Sequence, residues 1–221
     1  VILQILKNVS LGILLLLWFA LTLNALTYLN FDPTYGFLQI KASAVASGYY
    51  LPFYYCHVVV GGLILLAGFI QISSRFRKKW INAHRKVGYF YVYGILLFAA
   101  PGGLVMSFFV DRGATVLVSF LLQSLLWFYF TTIAVLKIRK KDVAAHEEWM
   151  WRSFSLTLAA ITLRLYIFFS SFYFDLSQPL AYAVIAWASW LINIAILEFF
   201  LWSSKNYQKK GLPQIGKASP Q

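Results

Sequence analysis

Apolar residues run through this chain in six long blocks separated by polar stretches, with no sustained alternation of period two. Each block approaches the ~20 residues that carry a helix across the hydrocarbon of a bilayer. They fall at about 9–29, 51–72, 88–109, 114–136, 150–173 and 179–202. In lipid every backbone polar group must be bonded within its own segment, so runs of this length predict helices. The expected fold class is all-α, a polytopic bundle of six transmembrane helices. It forms one domain over residues 1–203, with an extracytoplasmic loop at 30–50 and a basic cytoplasmic tail at 204–221.

Composition supports this pattern and orients it. Hydrophobic residues make up 61% and charged residues 12% of the 221 positions, where soluble domains carry about 25% charged residues. The net charge of +12 would suit nucleic acid if it covered one face, but the basic residues are gathered into particular loops, and no nucleic-acid partner is expected. Lys7 precedes the first block, and Arg75, Arg77, Lys78, Lys79, Arg85 and Lys86 lie between the second and third. Lys137, Arg139, Lys140 and Lys141 follow the fourth; Lys205, Lys209, Lys210 and Lys217 follow the sixth. The other side has Lys41 and Arg112, accompanied by Asp32, Asp111 and Asp175. The positive-inside rule then places both termini in the cytoplasm, N-in and C-in. The expected location is the inner (cytoplasmic) membrane, with the basic face against anionic lipid headgroups.

The first block, with Lys7 ahead of it, could pass for a signal peptide, but it stays apolar to Leu29 without a small-residue cleavage site and is read as a span. Because the sequence opens on Val1 and not on Met, residues are expected ahead of it. Cys56 is the single cysteine, which excludes an intrachain disulfide and a cysteine-cluster metal site.

Chemistry concentrates in the fifth block. At ~100° per residue, His146, Ser153, Thr157, Arg164 and Ser171 fall near one line of a helix. An arginine among Ile161, Leu163, Leu165 and Ile167 is costly in lipid and must point into the protein or reach for the interface. In the second block His57, Gly61, Ile64, Gly68, Gln71 and Arg75 share a face, where glycines admit another backbone or a flat ligand. The two blocks run in opposite directions, so His57 and Arg164 lie at comparable depth in the outer leaflet. Ser119 and Gln123, four apart in the fourth block, reach the same layer. His84 and His146 instead both open a span at the cytoplasmic side, His146 ~27 Å of helix from Arg164. Pro101-Gly102-Gly103 interrupts the third block and predicts a kink, since proline has no backbone N–H. Glu198, the only acidic residue inside a span, is placed to pair with Arg152 near the cytoplasmic surface.

Two stretches carry a resemblance: His84-Arg85-Lys86-Val87-Gly88-Tyr89-Phe90-Tyr91-Val92, and His146-Glu147-Glu148-Trp149-Met150-Trp151-Arg152-Ser153 with Thr162-Leu163-Arg164 downstream. With these the chain resembles an uncharacterised bacterial family of multi-span membrane proteins, a domain of unknown function. The resemblance covers the second to fifth blocks; it implies a six- or seven-helix membrane domain and brings no activity. A histidine followed by Arg and Gly at a helix start is also similar to haem-binding diheme cytochrome and ferric-reductase domains, whose paired histidines within facing spans this sequence lacks.

Two candidate sites follow. At the inner one His84 and His146, with Glu147, would ligate haem b or a transition metal, since neutral imidazole suits Fe, Cu and Zn. The plainer alternative is that each histidine caps its helix among headgroups. At the outer one His57, Arg164, Gln123 and Ser119, with the nearby tyrosines, would hold a quinone carbonyl, an anionic lipid headgroup or a haem propionate. Its plainer alternative is an arginine that snorkels outward or bonds to carbonyls freed by the kink. No phosphate loop, Ser/His/Asp set or paired carboxylates appear within the bundle, and no catalytic residue is assigned. The expected function is redox-linked, with haem, quinone or metal in the bundle. The alternative is a non-catalytic accessory or structural subunit of a larger membrane complex, or a lipid-binding protein.

Overall fold

The computed structural model describes residues 2–175 and 178–209, with side chains from Val9 to Asn206 apart from Ser10, Leu11, Leu14, Leu176 and Ser177. The side chains of Lys7 and Lys209, and the tail residues Lys210 and Lys217, lie outside the described part. Ten α-helices and no strand occur among the described residues: α1 (Ile2–Leu26), α2 (Ala42–Ala46), α3 (Tyr50–Gln71), α4 (Ser74–Lys79), α5 (Ile81–Gly94), α6 (Ala100–Ser107), α7 (Ala114–Arg139), α8 (Val143–Thr157), α9 (Ala159–Ser170) and α10 (Pro179–Lys209). Among the described residues five helical units are long and apolar enough to cross a membrane: Tyr50–Gln71, Ile81–Ser107, Ala114–Arg139, Val143–Ser170 and Pro179–Asn206. The first block is also helical, 25 residues long, and its described apolar part is the shorter stretch Leu15–Asn30. The units Ile81–Ser107 and Val143–Ser170 begin seven residues before the third and fifth apolar blocks, so His84 and His146 sit inside helices, each in the first turn. The last helix runs on through residues 204–209, where a tail was expected.

Two spans are bent, for different reasons. Between α5 and α6 the chain widens into a π turn, Ile95–Ala99, in which the Ala100 N–H donates to Ile95 O. Pro101 follows at once and has no N–H to give, and the wider turn accommodates the misfit. Between α8 and α9 no proline or glycine is present. There Ser155 Oγ donates to Arg152 O at 2.8 Å and Thr157 Oγ1 to Ser153 O at 3.1 Å. Hydroxyls that bond back into the previous turn compete with the ladder and bend a helix, and the α-helix lapses at Leu158.

Packing arranges the spans as a ring. α1 lies on α3, where Ala25 meets Gly62 and Thr22 Oγ1 donates to Gly62 O at 3.4 Å. α3 packs on α5, the π turn and α6; α6 packs on α7; α7 packs on α8 and α10; α10 packs on α9; α9 touches α1. Among the described residues α3 has no extensive packing against α9 or α10. Toward the basic end the ring is filled. Ile64, Tyr91, Ile95, Trp127, Phe154, Leu156 and Trp190 form the main core, and Gly68 lets the Phe154 ring approach α3.

Within that core lies a chain of hydroxyls. Tyr91 Oη is 2.9 Å from Thr157 Oγ1 and 3.3 Å from Ser153 Oγ, which is 2.8 Å from Thr131 Oγ1. All four residues are buried, and the chain ties α5, α7 and α8 together without a charge. At the basic end Arg152 grips Glu198 with two nitrogens, at 2.5 and 2.9 Å, and lies over the Trp149 ring at 4.7 Å. Glu148 lies 3.8 Å from Arg152 and accepts from Lys205 at 2.8 Å.

The opposite end carries a cap. After α1 the chain turns at Phe31 and Gly36, both with positive φ, and the Asp32 carboxylate takes the Thr34 hydroxyl and N–H. Those bonds hold the Asp32 carboxyl below its ordinary range. Leu38 and Ala44 are then buried against Tyr28, Tyr50 and Tyr54. Lys41 Nζ fastens the cap by donating to Phe109 O at 2.8 Å and Asp111 at 2.5 Å.

Candidate functional site

The site is built on the bend before Pro101. His57 Nδ1 lies 2.7 Å from Ala99 O. A carbonyl can only accept, so Nδ1 carries the proton and Nε2 is left with a lone pair. The ring is confined on the α6 side: a Cβ at Gly103 would fall 2.8 Å from His57 Cε1 and Nδ1, and one at Gly102 would fall 2.7 Å from Phe53 O and 3.0 Å from His57 N. Trp127 stands edge-on to the imidazole, with centroids 6.5 Å apart. Nε2 has no hydrogen-bond partner among the described residues and is not one of the fully enclosed unpaired atoms. His57 is half-buried, so part of the ring stays open.

Arg164 approaches from α9. Its Nη1 donates to Ala160 O at 2.9 Å, which leaves most of its donors unspent. Tyr54 of α3, Tyr28 and Tyr182 of α10 are its electrostatic neighbours, and His57 feels its charge. Arg164 is exposed, with those three tyrosines within its electrostatic reach. Gly61 lies on the helix face between Tyr54 and Gly68, both buried, yet a Cβ added there would meet nothing within 4 Å. Among the described residues α3 and α9 are thus not closely packed, and Gly61 opens on free space. The tyrosines near His57 are expected at this site from the sequence; Tyr182, on another helix, is not, and nothing in its spacing distinguishes it from an interfacial aromatic.

The fourth block contributes unequally. Ser119 is fully buried and its hydroxyl accepts the Trp190 indole N–H at 3.0 Å, so it serves the α7–α10 contact. Gln123 is one turn from Ser119 and one turn from Trp127, on the same inward face, half-buried and with no protein hydrogen bond among the described residues. Trp127 itself was legible in principle as the next inward position on that face.

At the basic end, His84 and His146 are electrostatic neighbours. His146 Nδ1–H donates to Ala134 O at 2.8 Å, and Gln71 Nε2 donates to His84 O at 2.7 Å. Two enclosed atoms here lack partners, His84 Nδ1 and Gln71 Oε1. Glu147 points away toward Arg77, 3.6 Å off. Among the described residues no three of His, Cys, Asp and Glu converge as metal ligands. Arg77 and Arg85 both act on His84, an electropositive setting that raises the cost of a divalent cation.

Apolar grooves lie elsewhere on the surface of the described residues. One of about 220 Å³ lies over Trp151, Phe154, Leu158 and Asn193; one of about 240 Å³ lies over Ala100, Pro101, Leu104 and Ser124. Neither is lined by an ionisable group, and each sits over one of the two bends, where departing helices leave a furrow.

Residues 54–201 match the family model described as Predicted membrane protein (DUF2306). The chain belongs to this family. The match spans α3 to α10 and so includes both histidine motifs, Arg164, the bend at Pro101 and the Arg152–Glu198 pair; α1 and the cap precede it. DUF2306 is described by membrane residence alone, which agrees with the five long apolar helical units. No curated protein and no solved structure matches the chain.

Proposed function

We propose that this DUF2306 protein is redox-linked and holds a lipophilic ligand with a polar ring headgroup, of the quinone class, between His57 and Arg164. What supports this reading is an Arg164 guanidinium with unspent donors and a His57 ring edge without a partner, at comparable depth where α3 and α9 are not closely packed and Gly61 opens on free space. In a low-dielectric bundle an arginine with unspent donors demands an acceptor, and a carbonyl or phenolate oxygen supplies one. Imidazole at the same depth can exchange a proton with that headgroup. Gly61 leaves room for a flat ring, and Gln123 adds a donor and an acceptor on the facing helix.

The reading includes a topology. α1, at 25 residues, is ~37 Å long and exceeds the ~30 Å hydrocarbon thickness, which makes it the sixth span. The basic end then faces the cytoplasm against anionic headgroups, both termini are inside, and the membrane is the inner one. In a Cys56→Ala background, Ser74→Cys should react with an impermeant reagent only after the cytoplasmic side is opened; labelling of intact cells rejects this orientation.

The functional test is equilibrium binding of a short-tailed quinone to protein purified in mild detergent, with an absorption spectrum and metal analysis on the same sample. Arg164→Leu should retain the fold and lose binding by about 100-fold, as expected for loss of a charge-assisted hydrogen bond in a desolvated site. Unchanged binding rejects the site, and a Soret band with stoichiometric iron would make haem the ligand instead.

A further inference from the structure

The bond from His57 to Ala99 decides which redox form the site accepts. We infer that the site is selective for the reduced, hydroxyl-bearing form of its ring ligand, a hydroquinone, because it offers an acceptor at His57 Nε2 together with donors at Arg164. This rests on the reading that the site binds a quinone-class headgroup. The imidazole cannot exchange its two nitrogens freely. Nδ1–H is engaged with a carbonyl at 2.7 Å, and Gly102 and Gly103 bring the α6 backbone so close that the ring is held against it. The edge directed away from Ala99 therefore presents a lone pair. A quinone carbonyl set against that lone pair brings acceptor to acceptor. A hydroquinone O–H donates into it, while its oxygens still accept from the Arg164 guanidinium. A fully ionised phosphate or carboxylate headgroup satisfies Arg164 but meets the same repulsion at Nε2, so the pairing of the two side chains suits an O–H-bearing ring better than an acidic lipid.

The test compares the oxidised and reduced forms of one short-tailed benzoquinone, bound anaerobically to the purified full-length chain. The reduced form should bind about tenfold more tightly, the worth of one net hydrogen bond. His57→Phe should bring the ratio to about one while Arg164-dependent binding of both forms persists. His57→Gln, whose amide can still accept, should keep part of the preference. If either variant fails to fold, the wild-type ratio remains decisive. Equal affinity for the two forms, or preference for the oxidised one, overturns the selectivity and leaves the quinone site standing. Absence of binding by both forms, or binding of phosphatidylglycerol in place of either, overturns the site and the selectivity together.

Discussion

A methyl group at Gly102 and a methyl group at Gly61 should have opposite consequences, although both glycines lie inside apolar spans. At Gly102 the new carbon would stand 2.7 Å from Phe53 O and 3.0 Å from His57 N. Both are backbone atoms of α3, so no side chain can rotate away. The first is about 0.7 Å short of the 3.4 Å at which ordinary contact begins, and α3 and α6 must separate by a similar distance. Overpacking of this kind costs about 1–3 kcal/mol. The same displacement pulls His57 from Ala99 O, now 2.7 Å away, so ligand affinity should fall along with stability. At Gly61 nothing lies within 4 Å, and alanine is the better helix former by about 0.5–1 kcal/mol. Gly61→Ala should therefore be neutral or slightly stabilising. Reversible unfolding in mixed micelles, with quinone binding measured on the same preparations, reads both effects. Equal destabilisation by the two variants, or a neutral Gly102→Ala, would refute the claim that α3 touches α6 there and opens on free space at Gly61.

Other consequences are smaller or more local. Gly61→Leu should fill the free space there and abolish quinone binding with no loss of stability; a variant that binds normally places the ligand elsewhere. Ser153→Ala removes the hydroxyl joining Tyr91 to Thr131, while Tyr91 keeps Thr157 and Thr131 keeps Trp127 O. Its cost should stay near 1 kcal/mol, in line with interhelical hydrogen bonds in membranes, and a loss above 3 kcal/mol by micellar unfolding would contradict that redundancy. For Arg152 and Glu198 a double-mutant cycle with Gln should give a coupling of about 1 kcal/mol, since the pair is bidentate but Glu198 is 44% exposed. A coupling indistinguishable from zero would show the pair is fully screened. Glu147→Gln should leave quinone binding unchanged, because Glu147 is engaged with Arg77 and far from Arg164; a changed affinity would tie the two ends together.

The chain's long apolar runs were sufficient to determine that it is helical and membrane-embedded, because a backbone in hydrocarbon has few ways to satisfy its hydrogen bonds. The same is true of the bend at Pro101, where a missing N–H is a covalent fact, and of the Arg152–Glu198 pair, two opposite charges at one depth in an apolar setting. The break at Leu158 was not legible, since it arises from hydroxyls bonding within their own helix and serine and threonine are common in unbroken spans. It matters for the fifth block. His146 faces α7, Ser153 and Thr157 join the hydroxyl chain, and Arg164 bonds back to Ala160 O, so the polar line of that block is divided among different surroundings.

Periodicity assigns a residue to a helix face but does not say what that face meets. Ser119 and Gln123 share a face, yet one is consumed by Trp190 and the other has no hydrogen bond among the described residues. Gly61 and Gly68 share a face, yet one opens on space and the other on Phe154. His57 was recognisable from its sequence as a histidine in a span, while its tautomer was set by Ala99, 42 residues away and brought into reach only by the packing of α3 on the bend. Depth and polarity were written in the order of residues because the bilayer imposes them on each segment singly. Partners and protonation were decided by the tertiary structure, because they depend on which segments the ring places side by side.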